Sequence, residues 1–177
     1  MNRSIITISD EEGDNQSIKF SQVRNASRGI VLNDKNEILI EKFLKYNLYT
    51  LPGGGIENDE EAANSFKREV LEEAGLSCEI IKQLPDVVEL RHKQDYKQIN
   101  HCFLAKLCNK NVQNQNLDTH EEEDGLEISW YPLFEGIKIL LNQVPETEQQ
   151  KFLTLRDKII IQQAIGDLFN NSNLFIK

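Results

Sequence analysis

At 177 residues with 39% hydrophobic content, the chain is long enough to bury one domain's core and too apolar to be a disordered tail. Its formal net charge of -9 argues against nucleic acid or an anionic membrane surface as the main partner, since the one basic cluster, Arg91-His92-Lys93 with Lys97 nearby, is thin. Three cysteines (Cys78, Cys102, Cys108) without Cys-x-x-Cys spacing argue against a disulfide framework or a zinc site and fit buried thiols in a reducing, cytoplasmic setting.

Residues 1–25 read as an N-terminal extension. The apolar piece Ile5 to Ile8 is too short for a signal peptide, and no later stretch approaches ~20 apolar residues. A polar turn from Asp10 to Gln16 and a β-prone run from Ile18 to Val23 follow, so a strand or hairpin is expected there. Next, Arg28 to Leu32 and Glu37 to Phe43 flank the turn formers Asn33-Asp34-Lys35-Asn36, which predicts a hairpin. Thr50 to Pro52 lead into Gly53-Gly54-Gly55, where the backbone is free to take positive φ or approach a ligand closely.

From Glu60 to Ala74 the spacing turns helical. Ala63, Phe66, Val70 and Ala74 form one apolar stripe, Asn58 with Glu61 (or Asp59) offers a cap, and Gly75 a left-handed stop. Cys78 to Ile81, Val87 to Arg91, Asn100 to Leu107 and Glu127 to Tyr131 read as strands, and the polar stretch Asn109 to Gly125 as a long loop. A last helix is predicted over 147–170, with Thr147 and Gln150 as capping box and Phe152, Leu155, Ile159 and Ile165 offered to a core. The tail Leu174-Phe175-Ile176 is apolar enough to dock. Residues 1–177 thus read as one domain, a mixed α+β sandwich with two main helices.

Within the first helix, Glu69, Glu72 and Glu73 are related by three and four residues, so their carboxylates share one face. Like charges at that spacing cost a helix roughly 0.2–0.5 kcal/mol per pair, and Arg68 can neutralise only one or two of them. The ridge lies beside the apolar stripe, with Glu73 nearest to it and Glu72 farthest. Taken alone, Arg68 to Glu73 is an ordinary solvated helix face. Hard divalent cations, however, want oxygen ligands of this kind, and Mg²⁺ typically combines one or two carboxylates with phosphate and water.

Quoted whole, the spacing is Gly54-x5-Glu60-x7-Arg68-Glu69-Val70-x-Glu72-Glu73-x-Gly75-Leu76, a pattern that chance would produce in such a chain with a probability on the order of 10⁻⁷. It resembles the Nudix box, the motif of a large hydrolase family, at every defined position. The stretch Leu51 to Glu57 is similar to the strand and loop that precede the box helix. Glu127 to Leu133 is similar to the strand that follows the family's variable loop. The likeness runs roughly from Ala26 to Leu133. One departure is Asp59, where glycine is common in the family; it bears on the geometry of that loop.

The resemblance implies a Nudix fold, a mixed β-sheet sandwiched by helices in α/β/α layers with a loop-helix-loop motif. It implies a metal-dependent pyrophosphohydrolase that cleaves a phosphoanhydride bond in a nucleoside diphosphate linked to another moiety: a nucleotide sugar, a dinucleoside polyphosphate or an (oxidised) nucleoside triphosphate. Mg²⁺ or Mn²⁺ would be held by Glu69, Glu72 and Glu73, with the Gly53 backbone carbonyl as a further ligand. Glu72 would also serve catalysis, Arg68 would orient Glu69, and Gly54, Glu60 and Gly75 would support the motif. Members draw the general base from the box or from the loop before the last strand; that loop here holds Glu121-Glu122-Glu123-Asp124, of which Glu123 is the expected base. The alternative is a Nudix-fold nucleotide sensor without hydrolysis. Members are frequently homodimers, and the partner expected is a small nucleotide-type molecule. His92, His101 and His120 lack ligand spacing, and Trp130 reads as a packing residue.

Overall fold

The computed structural model describes residues 4–11, 19–112 and 114–170, with only the backbone described at 109–112 and 169–170. In chain order the elements are β1 (Ile5–Ser9), β2 (Gln22–Leu32), β3 (Glu37–Phe43), β4 (Leu48–Thr50), α1 (Ala62–Ala74), β5 (Leu76–Gln83), β6 (Asp86–Arg91), β7 (Tyr96–Val112), α2 (Thr119–Asp124), β8 (Leu126–Pro132), α3 (Leu133–Leu141) and α4 (Glu148–Asn170). Ile18 and the apolar tail fall outside the described residues.

β7 is the organising strand. It runs parallel to β2 from the pair Gln22–Tyr96 to the pair Leu32–Lys106, while its other edge takes β6 first and β5 further on, both antiparallel. The whole sheet has the order β1-β6-β7-β2-β3-β4, with β8 added to β3. The expected hairpin at Asn33 to Asn36 forms, yet β2 and β3 pair only at Leu32–Ile38 before they diverge. Into that divergence runs the glycine segment. The N–H groups of Ser27 and Gly29 donate to the carbonyls of Gly54 and Pro52, and the Ile56 N–H donates to the Asn25 carbonyl, so residues 52–56 occupy the edge of β2 that β3 leaves. This pairing fixes the start of the box against the sheet.

Alternation along the strands feeds two cores. Ile30, Leu32, Ile38 and Ile40 point to one face and pack with Leu133, Ile137 and Leu140 of α3 and with Phe152, Ile160, Ile161, Ala164 and Leu168 of α4. Val31 and Leu39 point to the other face and pack with Phe66 and Val70 of α1, where the Phe66 and Phe103 rings stack at 5.5 Å. The layers are α/β/α, as expected.

Several expectations need correction. β1 pairs parallel with β6 and β2 parallel with β7, so the N-terminal extension is not a hairpin; each strand finds a distant partner. The stretch read as a loop from Asn109 to Gly125 instead continues β7 to Val112 and then forms α2, capped reciprocally by Asp118 and Glu121. α3 was not expected: its apolar positions Leu133, Ile137 and Leu140 have helical spacing but follow directly on a strand. Neither Asn58 nor Asp59 caps α1; Glu61 occupies that place without a side-chain bond. On α4 the Gln150 N–H donates to Thr147 Oγ1 at 3.1 Å as predicted, but Leu155 and Ile165 are exposed, because the buried stripe is rotated toward Arg156, Asp157 and Ile160. Among the described residues no helix is long and apolar enough to cross a membrane.

Candidate active site

The box helix packs by the face that carries Phe66 and Val70, and that packing draws neighbouring glutamates inward. Glu73 is 3% exposed and Glu69 8%, whereas the Glu72 side chain keeps 35% of its surface. The predicted ridge is therefore graded, with its buried end against the sheet. Gly75 closes the helix at φ 66, its N–H donating to the Leu71 carbonyl.

Arg68 ties the motif together. Its Nε and Nη2 donate to the two Glu60 oxygens, each at 3.1 Å; Nη2 also donates to the Gly55 carbonyl at 3.0 Å; Nη1 reaches Glu72 at 2.8 Å and Glu69 at 2.9 Å. One planar guanidinium thus binds helix start, loop and ridge, a task that suits its fixed fork of donors. The Glu60 bond in turn holds its carboxyl below the usual carboxylate range.

Loop and helix meet at the glycines. The Gly53 N–H donates to Glu73 Oε2 at 3.2 Å. Gly53 has φ 131, and a Cβ there would stand 2.2 Å from the Ser27 carbonyl oxygen. At Gly54 a Cβ would fall 2.5 Å from the Glu69 carboxylate, so only glycine lets that side chain lie across the loop. Asp59 adopts φ 64, a left-handed conformation that aspartate tolerates and that accounts for glycine being common there.

The carboxylate that joins the box from elsewhere is Glu121, not Glu123. Ligand oxygens of Glu69, Glu73 and Glu121 all lie within 4.8 Å of one another. On α2, positions 121 and 123 are about 200° apart, so one faces the cluster while Glu123 faces solvent. The approach is set by residues before α2. Gln115 Nε2 donates to the Glu73 carbonyl at 2.6 Å and the Asn116 N–H to the Glu72 carbonyl at 2.8 Å, satisfying carbonyls left open at the end of α1. At its far end, Asp124 accepts from Lys45 Nζ at 2.6 Å and from the Tyr46 hydroxyl at 3.1 Å, pinning α2 to the turn after β3.

Two further residues missed in the sequence stand behind the cluster. Glu41 on β3 is 1% exposed, accepts from Thr50 Oγ1 at 3.0 Å and meets the Glu73 carboxyl. Arg28 on β2 lies 3.9 Å from Glu41, donates through Nη1 to the Leu51 carbonyl, and has no partner for Nε. Burial raises Glu41 and Glu69 from 4.5 to about 7, raises Glu73 well above its ordinary value with the Glu41 charge adding to it, and raises Glu121. The histidines are elsewhere engaged: His92 with Ser9 at 3.1 Å and His101 with Asp86 at 3.1 Å. Trp130 packs on the core under α1.

The NUDIX domain family model matches residues 23–151, well over half of the chain. The chain belongs to the Nudix family. An RNA pyrophosphohydrolase of Ruthia magnifica subsp. Calyptogena magnifica is 32% identical to it over 139 residues, covering 69% of this chain and 75% of that protein. Among solved structures, a UDP-X diphosphatase aligns over 86% of this chain and 68% of its own at 13% identity and a TM-score of 0.54. A MutT Nudix hydrolase from Burkholderia pseudomallei aligns over 77% and 98% at 18% identity and 0.54, and a Nudix hydrolase from Nitrosomonas europaea over 80% and 92% at 16% and 0.57. These three share the Nudix fold with this chain. The protein is a Nudix hydrolase acting on acid anhydrides in phosphorus-containing substrates.

Proposed function

We propose that this Nudix hydrolase is a Mg²⁺- or Mn²⁺-dependent pyrophosphohydrolase acting on a small nucleotide in which a nucleoside diphosphate is joined to another group. The observation that carries the reading is the convergence of Glu69, Glu73 and Glu121 within 4.8 Å. All three donors are hard oxygens with neither nitrogen nor sulfur among them, the set preferred by Mg²⁺ and Mn²⁺. A bound divalent ion supplies charge neutralisation and Lewis acidity toward the diphosphate. That chemistry explains how a chain of net charge -9 would handle an anion.

The chain's own residues divide the remaining work. Glu69, Glu73 and Glu121 hold the ion, Arg68 fixes Glu69 and Glu72 in orientation, and the Gly53 N–H fixes Glu73. Glu72, left at the solvent rim, is the carboxylate a water can reach and the one we assign to proton transfer. Three free thiols support a reducing, cytoplasmic setting.

A second reading, removal of pyrophosphate from an RNA 5′ end, is supported by the name of the relative at 32% identity and opposed by the net charge. Phosphate or pyrophosphate release is to be measured with nucleotide sugars, dinucleoside polyphosphates, oxidised nucleoside triphosphates and 5′-triphosphate RNA, each with Mg²⁺, Mn²⁺ or chelator. Turnover of a small nucleotide that chelator abolishes is the expected result. Silence across the panel, with nucleotide bound tightly in calorimetry and recovered intact, would instead establish a sensor.

A further inference from the structure

Leu51 stands where the chain changes strand partner. Thr50, the last residue of β4, pairs with Glu41 of β3, whereas the Pro52 carbonyl accepts from Gly29 of β2. Leu51 falls between the two pairings, and its burial is complete. Side chains take both of its backbone groups. The N–H donates to Asp157 Oδ2 of α4 at 3.0 Å, and the carbonyl accepts from Arg28 Nη1 of β2. A buried peptide group without such partners costs free energy, so this clamp defines where the chain crosses from β3 to β2. Asp157, itself fully buried, is held from the far side: Oδ1 accepts from Arg156 Nε at 2.7 Å. Arg156 in turn faces Glu89 of β6 at 3.9 Å, and Glu89 accepts from Arg91 Nε at 3.0 Å and from Asn100 Nδ2 at 3.1 Å. Phe152, Ile160, Ile161, Ala164 and Leu168 dock α4 on the sheet by apolar contact. Buried ion pairs are a weak source of stability beside such packing, whereas the Leu51 N–H needs an acceptor fixed in place.

We propose that Asp157 is a positioning residue of the active site: through the Leu51 amide, α4 sets where the glycine segment lies and, with it, two carboxylates of the box. The path is short. Just beyond Leu51, the Gly53 N–H donates to Glu73 Oε2 at 3.2 Å. At Gly54 the backbone runs so near the Glu69 carboxylate that a Cβ would fall 2.5 Å from it. Displacing Leu51 therefore disturbs both side chains, and Mg²⁺ tolerates little departure from its preferred geometry. The effect on ion binding rests on reading Glu69, Glu73 and Glu121 as a metal centre; the effect on the loop does not. A part in the reaction thus falls to a helix on the opposite face of the sheet from the box helix.

The test uses the full chain, stripped with chelator, and three variants. Asp157→Ala removes the acceptor, Asp157→Asn keeps an acceptor oxygen of the same reach, and Leu168→Ala loosens α4 at an apolar contact further along the helix. Calorimetry reads the affinity for Mn²⁺ alone. Nuclear magnetic resonance reads hydrogen exchange of the Gly53 amide relative to that of Leu104 in β7. Asp157→Ala is expected to weaken Mn²⁺ binding and to speed relative Gly53 exchange by about 10-fold each, and Asp157→Asn to stay within about 3-fold of the parent. Leu168→Ala is expected to lower the melting temperature and leave both readouts unchanged. Parental values in Asp157→Ala overturn the proposal, and so does an equal loss in Leu168→Ala, which would make Asp157 one more support of the helix. A loss in Asp157→Asn as large as in Asp157→Ala overturns it too, since the acceptor oxygen would then not matter. If the parent binds no Mn²⁺, the metal reading fails, and Gly53 exchange alone decides for or against Asp157. Should Asp157→Ala fail to fold, Asp157→Glu replaces it with the same two outcomes, because it keeps the charge beside Arg156 and moves the acceptor by one methylene.

Discussion

Raising the pH in the absence of divalent ions tests the electrostatics of the centre without touching a residue. Glu41, Glu69, Glu73 and Glu121 are all displaced upward, chiefly by burial. Each therefore keeps its proton in the folded protein at pH values where the unfolded chain has lost it. The resulting stability is fully present below about 4.5 and is lost as the pH rises through the folded values, near 7 for Glu41 and Glu69. Glu41 alone, moved from 4.5 to about 7, contributes about 3 kcal/mol at about 1.4 kcal/mol per unit. Glu69, raised to about 7 by burial, adds to this in the same direction. Against a typical total of about 5–15 kcal/mol, this is a large fraction.

Glu60, Asp95, Asp124 and Glu148 are displaced the other way by hydrogen bonds, so their stability is present above their unfolded values and falls only in more acid solution. Urea unfolding in chelator, followed at fixed slope across this range, is expected to lose about 3 kcal/mol or more between pH 4.5 and 8. Mg²⁺ should restore most of the loss on the alkaline side by binding the folded state alone. A flat or rising stability in chelator would refute the reasoning, because it would mean that the cluster is solvated and its charges cost nothing to bury.

Glu121→Gln should lower kcat by at least about 100-fold, more than the loss of a residue that merely supports a ligand, whereas Glu123→Gln should retain parental turnover; equal losses in steady-state kinetics would return the role to the acidic run as a whole. Gly54→Ala should stay folded and lose Mn²⁺ affinity, since its Cβ meets only the movable end of Glu69, while Gly53→Ala should lose about 1–3 kcal/mol of stability from its backbone collision and positive φ. Arg68→Lys, which cannot hold Glu60, Gly55, Glu69 and Glu72 together, should cost about 10–100-fold in metal affinity by calorimetry with the melting temperature little changed. Asp59→Gly should lie within about 1 kcal/mol of the parent, and Asp59→Val should fall below both, as the left-handed conformation penalises a branched side chain.

The sequence by itself determined what depends on local spacing. Helical periodicity set α1 and the graded ridge of Glu69, Glu72 and Glu73; the glycine at position 75 set the helix end; turn formers set the bend at Asn33 to Asn36. The family followed from the same spacing, because a motif confined to one loop and one helix is written in consecutive residues. Tertiary structure alone decided which distant groups meet that motif. Glu41 and Arg28 reach the centre because strand register and sheet order bring β3 and β2 beneath α1, and no spacing along the chain encodes that proximity. The choice of Glu121 over Glu123 depended on an unpredicted turn of helix and on Gln115 and Asn116 docking against the open carbonyls of α1. Burial, which raises these carboxyls and makes a cation welcome, is likewise a property of the packed layers and of no residue taken singly.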